Sequence, residues 1–157
     1  MHQLNIEIRK MNLGDISRVL EIENFCFVSK WSEKDFLYEL NDNPVSELCV
    51  ATINEGDKEI VVGFSDYWHT FESATISQIA VHPDYQRKGI ASELLKDIIS
   101  DCYNKKIANL TLEVRKNNAK AISLYKKVGF KEVLVKPHYY SNGDDAIYMI
   151  YEVNINA

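Results

Sequence analysis

The sequence predicts an α/β domain with a mixed sheet and the element order β-α-α-β-β-β-α-β-α-β-β. The first half contains short segments rich in β-branched and aromatic residues, and the second half alternates helical periodicity with strands. The chain has 157 residues, of which 46% are hydrophobic and 26% charged, as in one ordinary globular domain. We therefore expect a single domain over residues 1–157, built as layers of helix on sheet.

The first half predicts one strand, two helices and three further strands. An edge strand is expected over residues 4–8, and Asp15 is expected to cap the first helix. Ser32 and Asp35 have the spacing of a capping box for the second helix. The apolar positions of these helices are Ile16, Val19, Leu20 and Phe27, then Phe36, Leu37 and Leu40. Strands over residues 48–53, 60–68 and 74–81 form an antiparallel run, with a hairpin turn at residues 54–57.

The second half predicts two helices and three strands. Strands are expected around Leu110, Leu112 and Val114 and over residues 130–136 and 146–153, and Gly129 ends the last helix. Apolar side chains recur at helical spacing in two segments. They are Ile90, Leu94, Leu95, Ile98, Ile99 and Cys102, then Ala121, Ile122, Tyr125 and Val128.

Charge and hydropathy exclude several classes of protein. The chain has 18 Lys and Arg against 23 Asp and Glu, and its net charge of −5 disfavours sequence-independent binding to nucleic acid. Met1 begins a polar stretch, and no run of about 18 apolar residues follows, so neither export nor membrane spanning is expected. Small molecules or basic peptides are the expected partners, and the cytoplasm is the expected location.

Cysteine and histidine patterns give no sign of a metal site. Cys26, Cys49 and Cys102 are odd in number, widely spaced and set among apolar residues, which favours reduced core thiols. The four histidines lack metal-ligand spacing, so a surface or packing role is expected. We therefore predict no metal.

The segment from Val81 to Ala91 joins a strand to a helix and is suited to hold an anion. Gly89 and the small Ala91 let backbone N–H groups converge at a helix N-terminus, and Arg87 and Lys88 add positive charge. An ordinary strand-turn-helix link with solvated basic residues fits the same pattern. The nucleotide-triphosphate loop is excluded because Lys88 precedes Gly89, and the three-glycine dinucleotide motif is absent.

Two sets of motifs resemble the GNAT N-acetyltransferase superfamily and its RimI-type branch. The acetyl-coenzyme A loop of the superfamily is similar to Gln86-Arg87-Lys88-Gly89-Ile90-Ala91 after Ile79-Ala80-Val81. The chain resembles the RimI-type branch at seven further places. They are Leu112-Glu113-Val114-Arg115, Asn118, Ala121-Ile122-Ser123-Leu124-Tyr125, Gly129-Phe130, Tyr139-Tyr140, Asp144-Asp145-Ala146 and Trp31-Ser32. The similarity covers almost the whole chain. Departures are Lys30 for a common Pro, Ala91 for a common Gly and Asn117 for a common Ser, and the first bears on substrate choice.

The resemblance implies a GNAT fold, with a mixed, mostly antiparallel central sheet flanked by helices, and roles for individual residues. Glu113 is the implied general base and Tyr125 the implied general acid. Without the resemblance, Glu113 fits a solvated or ion-paired strand residue, Tyr125 a core aromatic and Asn118 a helix cap. The implied acetyl-CoA contacts are Ile79, Ala80, Val81, Gln86, Arg87, Lys88, Gly89, Ile90, Ala91 and Asn118. The implied peptide channel contains Trp31, Tyr139 and Tyr140.

The predicted activity is acetyl transfer from acetyl-CoA to an amine. The resemblance implies the α-amine of a ribosomal protein that begins with Ala, presented on a basic peptide. A model α-amine titrates near pH ~7.7–8.0, against about 10.4 for lysine, so it needs little help to become neutral. Acetylation of a polyamine, antibiotic or other small amine remains open, as does a non-catalytic acyl-CoA-binding module that regulates a partner.

Overall fold

A computed structural model describes residues 4–155 of the chain and has the predicted element order. The strands are β1 (Glu7–Lys10), β2 (Ser46–Glu55), β3 (Lys58–His69), β4 (Ser73–Val81), β5 (Asn109–Arg115), β6 (Lys131–Lys136) and β7 (Ala146–Glu152). The helices are α1 (Ile16–Cys26), α2 (Glu33–Asn41), α3 (Ile90–Asn104) and α4 (Ala119–Val128). Short 3₁₀ turns lie at Leu13–Asp15 and Pro83–Tyr85.

The seven strands form a mixed sheet in the order β1-β2-β3-β4-β5-β7-β6. The pairs β1/β2, β2/β3, β5/β7 and β6/β7 are antiparallel, whereas β4 and β5 are parallel. The register places Glu113 of β5 opposite Tyr148 of β7, which itself lies opposite Leu134 of β6. The predicted mixed, mostly antiparallel sheet is confirmed.

The chain divides into two compact units. The first contains the residues up to Trp68 together with Ser77–Asp97, and the second contains His69–Ile76 together with the residues from Ile98 onward. Both β4 and α3 contribute residues to each unit.

The first unit has a core between its helices and strands. Val19 and Ile22 of α1, Phe36 of α2, Val50 of β2 and Phe64 of β3 are all fully buried in one cluster. The rings of Phe36 and Phe64 meet edge to face, 5.6 Å apart. Burial of several large apolar side chains, each worth about 1.5–3 kcal/mol, stabilises this unit.

The second unit is built on β5, β7 and α4. Leu110, Leu112 and Val114 of β5 and Met149 of β7 are buried. This agrees with the predicted apolar face of β5. In contrast, β6 is the terminal strand of the sheet, and its side chains are exposed or half-buried.

Three local predictions at the start of the chain are wrong. The first strand covers Glu7–Lys10 rather than residues 4–8, because backbone pairing from Glu7 with Thr52 to Lys10 with Cys49 sets its limits. Asp15 precedes α1 but makes no side-chain cap there. Its carboxylate instead accepts the Asn12 N–H and two hydrogen bonds from Arg9, at 2.8 and 2.9 Å. Phe27 lies just beyond the last residue of α1, in extended conformation.

Other local predictions hold, with element ends that differ by one or two residues. The Ser32–Asp35 capping box is present, with reciprocal hydrogen bonds between side chain and backbone. The hairpin turn between β2 and β3 is also present, at Gly56 and Asp57. The three cysteines are free, as expected, but only Cys102 is buried, whereas Cys26 and Cys49 are half-buried. Within residues 4–155, no helix is long and apolar enough to cross a membrane.

Candidate active site

The predicted anion loop lies in the first unit, between β4 and α3. Its entry is fixed by His82, a buried residue whose Nδ1 accepts the Asp84 N–H at 3.1 Å. The His82 ring packs edge to face against Phe25 and Tyr85, at 5.2 and 5.9 Å. His82 therefore has the packing role that its sequence context predicted.

The second half of this loop has the backbone geometry of an anion-binding turn. Arg87 and Gly89 have positive φ angles of 64° and 83°, and α3 begins at the next residue, Ile90. The first amides of a helix have no intrahelical acceptor, so they remain available to an anion. A side chain on Gly89 would meet no atom within 4 Å, so open space lies in front of the backbone there. Lys88, like Arg87, is exposed and adds positive charge.

The other predicted cofactor residues of the first unit anchor this loop. Ala80, Val81 and Ile90 are buried, and Ile79 and Ala91 pack against the same apolar cluster. The exposed Gln86 donates from Nε2 to the Val81 carbonyl at 3.0 Å, which ties the loop back to β4. Exposed cations, a glycine with open space and helix N-terminal amides are a donor set that fits the pyrophosphate of acetyl-CoA.

Trp31 lies in the first unit, in the loop between α1 and α2. Its backbone N–H donates to Glu23 Oε2 at 2.9 Å, and Gln78 Nε2 of β4 donates to the same oxygen at 2.9 Å. The Trp31 ring packs against Phe36 at 5.2 Å. Burial raises the pKa of Glu23, which is fully inside the protein. Glu23 thus fixes the loop at the position where Lys30 replaces the common Pro.

Glu113 lies in the second unit, half-buried in the middle of β5. Its Oε1 accepts a hydrogen bond from Lys136 Nζ at 2.9 Å, which forms an ion pair. Tyr139 also hydrogen-bonds to the Glu113 side chain, and this bond, together with burial, raises the pKa of Tyr139 to about 12. The ion-paired state that the sequence left open is therefore present.

Tyr125 lies in α4 of the second unit and is 8% exposed. Its ring meets Phe130 edge to face at 5.8 Å, so the packing expected of a core aromatic is present. Burial, with a smaller effect of Tyr140, raises the pKa of Tyr125 well above its usual range. The hydroxyl therefore keeps its proton at neutral pH and can act as a hydrogen-bond donor.

Tyr139 and Tyr140 lie on the loop between β6 and β7, as predicted. Their rings pack edge to face at 5.0 Å, and the Arg115 guanidinium lies 3.9 Å from the centre of the Tyr140 ring. Arg115 also donates to Asp144 at 2.8 Å and to Asn142 at 3.0 Å, so it connects β5 to this loop. Arg115 thereby holds Tyr140, and Tyr139 packs against the Tyr140 ring.

Asn118 caps α4. Its Oδ1 accepts the Ala121 N–H at 3.2 Å, which is the helix-capping role that the sequence allowed. The side-chain amide nitrogen is not used by this cap.

The predicted residues fall into two groups. The first unit holds Trp31 and the acetyl-CoA residues between Ile79 and Ala91, whereas the second unit holds Glu113, Asn118, Tyr125, Tyr139 and Tyr140. Sequence analysis missed Glu23 and Lys136, which contact Trp31 and Glu113. No local motif marks either residue, since both contacts arise from long-range packing. In the described part of the chain, no group of three or more His, Cys, Asp and Glu side chains is arranged to hold a metal ion.

Comparison with known proteins identifies the family. Residues 16–130 match the acetyltransferase (GNAT) family, so this chain belongs to that family and is an acetyl-CoA-dependent N-acetyltransferase. A putative ribosomal protein bS18-alanine N-acetyltransferase of Bacillus subtilis (strain 168) is 34% identical over 148 residues, covering 94% of this chain and 95% of that protein. The ribosomal protein bS18-alanine N-acetyltransferase of Escherichia coli (strain K12) is 32% identical over 151 residues, covering 94% and 98%.

Solved structures agree with this result. The crystal structure of the ribosomal-protein-S18-alanine N-acetyltransferase from Escherichia coli has a TM-score of 0.83 and 31% identity, with 98% of this chain and 97% of that chain covered. Ard1 from Thermoplasma volcanium has a TM-score of 0.84 and 30% identity, with 94% and 97% covered. The expected GNAT fold and the resemblance to the RimI-type branch are confirmed.

Proposed function

We propose that this enzyme acetylates the N-terminal α-amine of a ribosomal protein that begins with Ala, and that it acts in the cytoplasm as one N-acetyltransferase domain. The observation that supports this most strongly is the similarity to bS18-alanine N-acetyltransferases over 94% of the chain. The net charge of −5 favours a basic peptide as the acceptor. The family match spans parts of both units, which supports the single domain.

Acetyl-CoA, when bound, supplies an acetyl thioester that an amine can attack. We assign the loop of residues 82–91 to the pyrophosphate, through its backbone amides and the side chains of Arg87 and Lys88. The residues Ile79, Ala80 and Val81 of β4 support this loop, and Asn118 offers its side-chain amide as a further donor. Two features support this assignment: the open space at Gly89, and the start of α3 at Ile90, since the first amides of a helix have no intrahelical acceptor.

Glu113 is assigned as the general base. It accepts one proton from the attacking amine, directly or through a water, as the C–N bond forms. Its half-buried position on β5 and its two hydrogen-bond donors keep the carboxylate in one place. Since a model α-amine titrates near pH ~7.7–8.0, only modest help from the base is required.

Tyr125 is assigned as the donor to the departing sulfur. As the C–S bond breaks, the Tyr125 hydroxyl donates a hydrogen bond to the departing thiolate, which gains its proton from Tyr125 or from solvent. The proton taken by Glu113 returns to solvent, so that proton uptake and release balance over one turnover. The raised pKa of Tyr125 makes complete proton transfer less favourable and leaves hydrogen bonding as the main contribution. Trp31 of the first unit, and Tyr139 and Tyr140 of the second, are each assigned to the peptide, because aromatic side chains offer a large and rigid contact surface.

Two isosteric substitutions test these assignments. We expect Glu113→Gln and Tyr125→Phe to retain acetyl-CoA affinity and to lower kcat by about 10²–10⁴-fold, the usual range for general acid–base catalysis. Turnover is followed by thiol release with an Ala-initiated basic peptide, and acetyl-CoA affinity by calorimetry. Glu152→Gln and Tyr103→Phe are matched controls on exposed side chains of the same unit. Wild-type rates in both test variants across pH would remove Glu113 and Tyr125 from the proton transfers.

A further inference from the structure

Glu113 is one partner of an ion pair whose other partner lies on a different strand. Lys136, the last residue of β6, brings its Nζ to 2.9 Å from Glu113 Oε1, across the intervening strand β7. The two side chains are 37% and 22% exposed, so the pair is partly shielded from solvent. Screening is weaker here than at an open surface, and the charge of each partner therefore matters to the other.

The Lys136 ammonium is held from more than one side. It lies 4.9 Å from the centre of the Tyr148 ring on β7 and 5.3 Å from the centre of the Tyr139 ring on the following loop. Both distances are within the range of cation–π attraction. The ammonium is therefore fixed between the carboxylate and two aromatic rings.

The remaining charges around Glu113 are already balanced. Arg115, two residues along β5, pairs with Asp144 at 2.8 Å and stacks on Tyr140. The groups that surround the Lys136–Glu113 pair in this unit are Tyr139 and Tyr140 on the β6–β7 loop, Tyr148 on β7, Arg115 on β5, Asp144 on the same loop and Tyr125 on α4. Among the described residues, Lys136 is therefore the cation that pairs with Glu113 and offsets its charge.

An unpaired carboxylate at the position of Glu113 would slow the attack of the acceptor amine. The acceptor arrives mostly as an ammonium at pH 7, and only the neutral amine can attack. An isolated negative charge within about 4–6 Å stabilises an ammonium and raises its pKa by about 1–3 units. A neutral Lys136–Glu113 pair does not hold the amine in its unreactive form.

We propose that Lys136 is a positioning residue that cancels the charge of Glu113 and fixes its carboxylate, so that the bound acceptor amine becomes neutral near physiological pH. The inference rests on the proposed role of Glu113 as the base. It adds a residue on β6 to those that govern turnover. Lys136 acts through Glu113 and takes no part in the bond changes.

The dependence of kcat on pH tests this inference. The full-length enzyme is assayed by thiol release between pH 6 and 10, with saturating acetyl-CoA and an Ala-initiated basic peptide. Lys136→Met removes the positive charge and keeps most of the aliphatic chain. If this variant folds poorly, Lys136→Gln removes the charge and replaces the ammonium with a neutral polar group. Lys136→Arg keeps the charge. Lys131→Met, at an exposed lysine of the same strand, is the matched control.

The expected result is a shift of the rising limb of kcat for Lys136→Met to higher pH by about one unit or more. Its kcat at pH 7 falls about tenfold and returns to the wild-type level near pH 9–10, while KM for the peptide does not rise. Lys136→Arg and Lys131→Met keep the wild-type profile. In Lys136→Met/Glu113→Gln the midpoint returns towards the wild-type value, because the uncompensated charge is gone.

Two results separate the possible failures. The first result concerns Lys136 alone. If Glu113→Gln is slow, but the pH profile of kcat for Lys136→Met is unshifted or moves to lower pH while its acetyl-CoA affinity is normal, the proposed role of Lys136 is wrong. If Glu113→Gln turns over at the wild-type rate, the proposed base and this inference both fail. A merely structural Lys136 would lower thermal stability without moving the midpoint.

Discussion

Asp66 is a fully buried carboxyl in β3, and its nearest ionisable neighbour is another buried carboxyl, Glu39 of α2. Burial and the hydrogen bond with Glu39 raise the pKa of Asp66 well above its usual range. Ser46 donates to Asp66 Oδ1 at 2.8 Å, whereas Oδ2 has no donor among residues 4–155. Trp68 Nε1 and Asn43 Nδ2 donate to Glu39. At neutral pH Asp66 therefore keeps its proton, which it shares with Glu39 as a hydrogen-bond donor.

We expect Asp66 to make the protein less stable as pH rises. The folded state keeps a proton that the unfolded state releases near pH ~3.9, so the stabilisation is fully present below that pH and is lost progressively above it. The slope reaches at most about 1.4 kcal/mol per pH unit. Asp66→Asn, whose amide can donate to Glu39, should reduce this loss between pH 5 and 7 in urea unfolding. Asp57→Asn in the exposed turn is the control, and equal slopes for wild type and Asp66→Asn would contradict the shared proton.

Candidate site residues could be proposed from the sequence only where a motif marks them. Glu113, Tyr125 and the tyrosines of the β6–β7 loop stand in recognisable local patterns. Lys136 does not, because its contact with Glu113 depends on the register of three strands, two of which are distant in sequence from β5. Glu23 likewise contacts Gln78, 55 residues away.

The loop between β4 and α3 is the element that we assign to cofactor binding. Gly89 has a φ of 83°, which Pro cannot adopt because its ring fixes φ near about −65°. Gly89→Pro should therefore distort the loop, remove one amide donor and abolish acetyl-CoA binding in calorimetry. Gly56→Pro is the matched control, since Gly56 also has a positive φ, of 63°, and open space in front of it. Normal acetyl-CoA affinity in folded Gly89→Pro would refute the assignment of this loop.

Element order and type were predictable because apolar periodicity and capping residues agree along the chain. Ser32 and Asp35 mark the start of α2 correctly since both partners of the box lie within one turn. The predicted limits of β1 were wrong because the alternation of apolar and polar residues indicates which side chains are buried. The ends of a strand depend instead on where its backbone pairs with the neighbouring strand, here β2. The prediction that Asp15 caps a helix was wrong because its carboxylate forms an ion pair with Arg9, which also pairs with Glu59.

The family match and the similarity to two bacterial N-acetyltransferases place this chain among enzymes that modify amines. We assign the choice of acceptor to side chains outside the motif of the anion loop. An enzyme with an ion-paired base should favour an amine that is already partly neutral at pH 7, which is an α-amine rather than a lysine side chain. Small first residues should be preferred, because bulky aromatic side chains are assigned to contact the first residue of the peptide.

The most direct test is a comparison of kcat/KM for three kinds of acceptor with the wild-type enzyme and acetyl-CoA. They are basic peptides that begin with Ala, the same peptides with a blocked N-terminus and an internal lysine, and spermidine. We predict the highest kcat/KM for the free Ala peptides, little turnover of the blocked peptides, and lower turnover when a bulky residue replaces Ala. Equal or better turnover of spermidine or of the internal lysine would contradict N-terminal acetylation while leaving the GNAT family assignment intact.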